Sequence, residues 1–312
     1  MTAKPAAQTP GLIRGSKLKP IPAPDRLFAP LTQGVSVEPT IPQHVANAFH
    51  AEKEEPEQLG AAWGFGIRLG QKVFTPVVSP PAAAWSAKVR GQISAPEFRV
   101  ARPVRSTDGR VVVGGWSASY FAVGQPAARV DETVRVGLAL DRALADIAPV
   151  TRGNEEDPRL AVFQRADAWA WAHEPHQAAA SDPQRVADAL TIAQRLHAVC
   201  EPLDAPAQSC HADLLATTLF RGSHPPVITD VVCVHRPAGY TAALAMVDGL
   251  VAGLVDPGII RRFGYIPHLH TLLRRAVLYR MYVRLYHPDI SDRSITSLSE
   301  VAGMIPEGDH NC

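Results

Sequence analysis

Along the first third of the chain apolar residues fall at alternate positions, and beyond it they recur every three or four, so the pattern predicts strands followed by helices. Pro42 ahead of Val45, Ala48 and Phe49 predicts a short opening helix. The run Gly60-Ala-Ala-Trp63-Gly64-Phe65-Gly66-Ile67-Arg68, passing into Lys72-Val73-Phe74-Thr75-Pro76-Val77, predicts a strand, a glycine turn and a second strand. A helix over Ala82 to Gln92 is built around Trp85 and Val89. Val100 to Arg105, the Thr107-Asp108-Gly109 turn, and Val111 and Val113 leading into Trp116 then read as a hairpin.

From Tyr120 to Pro126 the pattern breaks, and after it the spacing is helical. Val134, Leu138, Leu140, Ala143 and Leu144 fall on one helix face; Val186, Leu190, Ala193 and Leu196 fall on another, which Asp182 can cap. Leu219-Phe220 and Val227-Ile228 predict a short hairpin, and helices near Tyr240 to Leu254 and Tyr265 to Tyr286 close the chain. Residues 1–40 carry Pro5, Pro10, Pro20, Pro22, Pro24, Pro30 and Pro39 among Lys4, Arg14, Lys17, Lys19 and Arg26, a composition that predicts a disordered, basic, extended tail. The expected organisation is therefore a tail (1–40), a small lobe of mostly strands (41–122) and a helical large lobe (123–312).

At 312 residues, 46% hydrophobic and 20% charged, the chain is long enough to bury a sizeable core. A net charge of +1 gives no global attraction to nucleic acid or to an anionic membrane, so neither is an expected partner. Cys200, Cys210, Cys233 and Cys312 form no Cys-x-x-Cys pair, and the N-terminus has no continuous apolar core, which together predict reduced thiols and a cytoplasmic location. The apolar run from Ala242 to Val255 is short and contains Asp248, so it reads as a buried helix rather than a membrane span.

The chemistry concentrates in Cys210-His211-Ala212-Asp213-Leu214-Leu215-Ala216-Thr217-Thr218, followed by Val227-Ile228-Thr229-Asp230. Two aspartates on loops between short apolar runs suit a site that holds a hydroxyl and a metal ion. The segment resembles the aminoglycoside phosphotransferase and choline kinase group, whose loop reads His-Gly-Asp-x-x-x-x-Asn. Its continuation through Arg236-Pro237-Ala-Gly239-Tyr240, with Arg102-Pro103-Val-Arg-Ser-Thr-Asp-Gly109 upstream, resembles more narrowly an actinobacterial family of phosphotransferase-like proteins. The resemblance spans most of residues 42–290. It implies an α+β, two-lobed protein-kinase-like fold, with an antiparallel-sheet small lobe and a larger helical lobe. It also implies Asp213 as the catalytic carboxylate beside His211, Asp230 as the ligand of magnesium, and ATP as the nucleotide.

The same resemblance exposes what is missing. Where the group places a metal-binding Asn stands Thr218; where it places the phosphate-binding Lys stands Thr75; and where it places the Glu that orients that Lys stands Lys88. Gly64 and Gly66 can let backbone amides approach a phosphate, and Lys88 is the candidate replacement cation, while Lys72 points to the face opposite Thr75. Losing two electrostatic contributors, each worth several kcal/mol of barrier, favours a degenerate kinase-fold protein that acts by binding a small molecule or a protein. A slow, metal-dependent phosphotransferase is the alternative, and Asp213 also has a structural reading as an anchor for its own loop.

Elsewhere, Pro175 breaks the helical spacing that His173, Glu174 and His176 would need to bind zinc, and Trp169 and Trp171 read as packing residues with ring-stacking as the alternative. Arg261, Arg262, Arg274, Arg275, Arg280 and Arg284 form a basic series in the last helices, read as a solvated or acid-paired face with a phosphate or acidic ligand as the sharper alternative.

Overall fold

The computed structural model describes residues 40–51, 54–151, 158–175, 183–286 and 292–306. The expected tail (residues 1–39 of it), the His176 end of the histidine cluster, the Asp182 cap and Cys312 lie outside the described residues.

Helix α1 (Gln43–Ala48) precedes β1 (Glu57–Gln58), a 3-10 turn (Ala61–Trp63), β2 (Ile67–Leu69), β3 (Lys72–Pro76) and helix α2 (Pro80–Gln92). After these come β4 (Arg99–Val100), β5 (Pro103–Val104), β6 (Val112–Val113) and β7 (Trp116–Tyr120). β1, β2, β3, β7 and β5 lie side by side in one antiparallel sheet, with β6 also paired to β7. Ile67, Phe74, Val104, Val113, Trp116 and Ala118 bury one face against Val45 and Phe49, and the Phe49 and Phe74 rings meet edge to face at 5.8 Å. The expected hairpin is divided: β6 folds back on β7 through Gly114 and Gly115, both at positive φ, while β5 pairs with β7 farther along.

β4 leaves this sheet altogether. It runs parallel to β10 (Val227–Ile228), which itself pairs antiparallel with β9 (Thr218–Leu219) in the hairpin the sequence predicts. Val89, Ile93, Phe98 and Val100 from the small lobe share a core with Val136, Leu140, Leu144, Leu214 and Ile228 from the large one. The lobes are thus joined by a ladder and a common apolar cluster as well as by the hinge, where Gln125 bridges Phe220.

The large lobe contains α3 (Val130–Leu144), α4 (Pro158–Ala170), α5 (Pro183–Ala198), β8 (Ala207–His211), the one-turn α6 (Leu214–Thr217), and β11 (Cys233–Pro237) paired antiparallel to β8. Then follow α7 (Tyr240–Val251), α8 (Ile259–Arg262), α9 (Leu269–Tyr286) and α10 (Asp292–Met304). Every residue of α7 from Tyr240 to Leu250 is buried, which explains its near-continuous apolar sequence. Among the described residues no helix is long and apolar enough to cross a membrane. Asp248, the one charge inside α7, receives two hydrogen bonds at 2.7 and 2.6 Å from Arg280 of α9, so the desolvation of both groups is offset by a bidentate pair. Arg280→Met strands Asp248 and is expected to cost about 3–5 kcal/mol in urea unfolding, most of it recovered by adding Asp248→Leu; a loss under about 1 kcal/mol contradicts a role for the pair in holding α7 to α9.

Candidate ligand cleft

β8 and β11 form the rails on which the two sequence-predicted aspartates ride. β8 ends at His211 and β11 begins at Cys233, which pair directly, so Asp213 and Asp230 leave the same end of one ladder. The two carboxylates are near enough that the Asp230 charge counts among the causes that raise Asp213. Burial, only partly opposed by Arg280, pushes the Asp213 carboxyl up to about 7. One of its oxygens, Oδ1, is buried with no hydrogen-bond partner and lies 3.9 Å from Arg280 Nη2, which also donates to the carbonyl of Ala212 at 2.8 Å.

His211 is completely buried and acts on the backbone. Its Nδ1 accepts from the amide of Val232 at 2.9 Å, its Nε2 meets Thr217 Oγ1 at 2.9 Å, and that hydroxyl donates to the Asp213 carbonyl at 2.8 Å. The ring therefore holds the Asp213 and Asp230 loops together. Burial lowers its pKa to about 4, which suits the neutral ring these contacts require. Thr218 is also buried, and its hydroxyl donates to Leu214 at 2.7 Å, closing the single turn of α6 rather than facing the cleft.

Asp230 is held from the small lobe. Ser86 Oγ donates to its Oδ1 at 2.5 Å, and Arg90 Nε lies 3.6 Å from the same oxygen. Arg90 further donates to Ser86 Oγ, the carbonyls of Ala101 and Thr229, and Ser119 Oγ, at 2.9–3.1 Å. Ser86 and Arg90 are one turn apart on the inward face of α2. Lys88, the predicted replacement cation, is exposed between them on the outward face. Lys72, as expected, turns away and donates to His50 at 2.7 Å.

The glycine turn closes over the same cleft. A side chain at Gly66 would strike the Phe74 carbonyl at 2.7 Å and Thr75 Oγ1 at 3.0 Å, and one at Gly64 would meet Thr75 Cγ2 at 3.3 Å, so Thr75 fills the space directly beneath the turn. Gly64 and Phe65 both adopt positive φ, which turns the chain inward. Thr229, beside Asp230, donates to the carbonyl of Ala62 at 2.5 Å, and Ala62 packs with Leu219 and Val227 while Trp63 stacks on Phe121 at the hinge. Of the residues the sequence singles out, Gly64 and Gly66 lie over Thr75, Asp213 lies near Asp230, and the turn reaches the Asp230 loop through the Ala62–Thr229 bond; the sequence does not single out Ser86 or Arg90.

Among solved structures, the chain resembles a thermostable mutant of aminoglycoside phosphotransferase APH(4)-Ia in a ternary complex with ADP and hygromycin B. The likeness has a TM-score of 0.52 at 14% sequence identity, and covers 84% of this chain and 97% of that one. The fold is that of an aminoglycoside phosphotransferase. The likeness bears out, over the 84% of the chain that it covers, the two-lobed, kinase-like architecture expected from the His211–Asp230 segment. No family model and no curated protein matches the sequence.

Within this phosphotransferase-like fold, Asp213 carries a pH signature. Its carboxyl is raised in the folded state, so its contribution to stability is fully present below about pH 4 and lost as pH rises through about 7. Asp213→Asn should therefore be neutral near pH 4 and stabilising by about 1–2 kcal/mol at pH 8, as read by urea unfolding at both pH values. An equal effect at the two values contradicts the raised pKa.

Proposed function

We propose that this chain is a kinase-fold protein that has lost efficient phosphoryl transfer and works by binding. The observation that carries the reading is the double closure of the cleft. Ala62 of the 3-10 turn is bonded to Thr229 and packed on Leu219 and Val227, and Asp230 is bonded to Ser86 with Arg90 alongside. A nucleotide placed under the glycine turn meets Thr75, a hydroxyl without the positive charge that phosphate neutralisation needs. A magnesium ion at Asp230 must compete with a hydrogen bond and a guanidinium, and Thr218 offers no second ligand because its hydroxyl is spent on Leu214.

One observation favours a second reading, a slow ATP- and magnesium-dependent transfer of a phosphoryl group to a small-molecule hydroxyl. The Asp213 carboxyl, with one oxygen left without a partner and its pKa raised to about 7, has the basicity of a general base, and Asp230 near it would be the metal ligand. ADP in the related phosphotransferase makes ATP a reasonable trial nucleotide, and hygromycin B there makes a small-molecule ligand a reasonable class. Kinship with the narrower actinobacterial group rests on the Arg102-Pro103 and Arg236-Pro237 stretches. A cytoplasmic location is in keeping with the buried thiol of Cys210, which forms no disulfide.

A thermal-shift titration with ATP and magnesium or manganese separates the two readings, because a ligand that binds only the folded state raises Tm by mass action. Binding without transfer predicts no shift at millimolar nucleotide in the wild type. A shift abolished by Asp230→Ala, with phosphate release abolished by Asp213→Ala, establishes the phosphotransferase instead. Thr75→Lys combined with Lys88→Glu is expected to change little, since Lys88 faces away from the cleft; a gain in nucleotide affinity from that pair contradicts the geometry of α2.

A further inference from the structure

The 3-10 turn closes the cleft with a side chain as well as with its backbone. Ala122 of the hinge, Leu219 of β9 and Val227 of β10 meet in one small apolar cluster between the lobes, and Ala62 and Trp63 of the turn complete it. The Trp63 indole is stacked on the Phe121 ring of the hinge, with centroids 5.7 Å apart and planes 26° from parallel. Phe121 is fixed independently: its amide donates to the Gln71 carbonyl at 2.8 Å, and the Arg68 guanidinium, bonded to Gly70 at 2.8 Å, lies over its ring at 3.9 Å. Without Ala62 and Trp63 the same residues form an open apolar recess between two lobes, with an aromatic ring beside it, which is the setting in which small organic ligands lie.

Three features make this cover removable. Trp63 is presented by a turn in which Gly64 and Phe65 adopt φ of 57° and 53°, and a left-handed backbone is unfavourable for a side chain as bulky as phenylalanine, so leaving the turn relieves strain. The Thr229 hydroxyl, which holds the Ala62 carbonyl at 2.5 Å, also reaches the Thr217 carbonyl at 3.1 Å, so it keeps an acceptor when the turn departs. Trp63 is only partly buried and, among the described residues, its ring nitrogen donates to none, whereas Trp85 donates to the Ala148 carbonyl at 2.8 Å. Withdrawing the indole therefore strands no donor, and its main cost is the lost apolar and stacking contact.

We propose that Trp63 is an autoinhibitory plug: in the free chain its indole takes the place of a flat ring ligand at the hinge, and a ligand enters this side of the cleft only by displacing the 3-10 turn. The competitor is an uncharged flat ring rather than a phosphorylated one, because Thr75 beneath the glycine turn supplies no positive charge to a phosphate. A ring that replaces the indole recovers its stacking on Phe121 and its apolar contacts with Leu219 and Val227, so the exchange is close to balanced and small changes to the cover decide it. This rests on the proposed binding-only function and names how that same cleft is regulated.

The test is the melting temperature of the full chain with and without millimolar adenosine, in the wild type, Trp63→Ala, Trp63→Phe and Thr229→Val. Adenosine is the probe because its purine matches the indole in size and flatness, while its ribose needs an exit to solvent that a hole inside a core does not offer. The wild type should shift by less than about 0.5 °C and Trp63→Ala by about 2–4 °C. Trp63→Phe, which keeps a ring on Phe121, should shift several-fold less than Trp63→Ala. Thr229→Val leaves Trp63 in place but unlatches Ala62, and should show an intermediate shift; it carries the test if Trp63→Ala does not fold.

A shift in either Trp63→Ala or Thr229→Val that the wild type lacks supports the plug. Both variants without a shift overturn it, as does an equal shift in the wild type, which makes the recess open already, or an equal shift in Trp63→Phe and Trp63→Ala, which makes the ring irrelevant. ATP turnover by the wild type, alongside an adenosine shift confined to the variants, sinks the binding-only reading and leaves the plug standing. No turnover together with no adenosine shift in any variant does the reverse.

Discussion

Arg90 is the constraint on which the arrangement of the cleft depends. It is one of the most buried charges in the small lobe, and its bonds reach four separate segments: its own helix through Ser86, the link between β4 and β5 through Ala101, β7 through Ser119, and the loop of Asp230 through Thr229. Arg102 adds a bond at 2.6 Å to the Arg90 carbonyl at the end of α2. A charge can occupy this position because Nε and Nη1 both find oxygens, and those oxygens are correctly placed only when both lobes are docked. In a kinase-like fold the same helix normally contributes a carboxylate that orients a cation. Here the sign is reversed: the helix contributes the cation, and the carboxylate it restrains is Asp230.

This reversal ties the fold to its chemistry. With Asp230 held by Ser86 and Arg90, and with Thr229 beside it bonded to Ala62, one loop fastens α2 on one side and the glycine turn on the other. The β4–β10 ladder and the shared core of Val89, Phe98, Leu140 and Ile228 hinder the lobes from separating to release it. The opposite wall is less self-sufficient. Asp213 keeps its Oδ1 buried without a hydrogen-bond partner, 3.9 Å from the Arg280 guanidinium.

Much of this was legible in the sequence, and the reason for each gap is local. The alternation in the small lobe, the spacing in α3 and α7, and the two aspartates on neighbouring loops are pattern-level signals, and the structure contains each of them. The β8–β11 ladder is hidden in the sequence, because Gln208, Ser209 and His211 break the apolar pattern of a strand; their polar groups are used instead on Asp141, Ile147 and Thr217. By the resemblance Lys88 takes the place of the functional residue of a kinase-like helix, whereas the inward positions of α2 belong to Ser86 and Arg90. The signal that was available is the i, i+4 spacing of those two, with apolar Val89 marking the buried side. Thr218 matched a ligand position by count alone, and counting cannot reveal that a short helix captures its hydroxyl.

The central claim, that the nucleotide side of the cleft is closed by the chain itself, is tested most directly by amide hydrogen exchange over the glycine turn. The amides of Trp63, Gly64, Phe65 and Gly66 are bonded to Gly60, Ala61, Gly60 and Trp63 at 2.8–3.1 Å, and the turn is clamped by Thr229. The account predicts that these amides exchange slowly in the free protein and that millimolar ATP with magnesium leaves their rates unchanged. Rapid exchange in the free protein that becomes slow when nucleotide is added would contradict it, because it would show an open turn waiting for a phosphate.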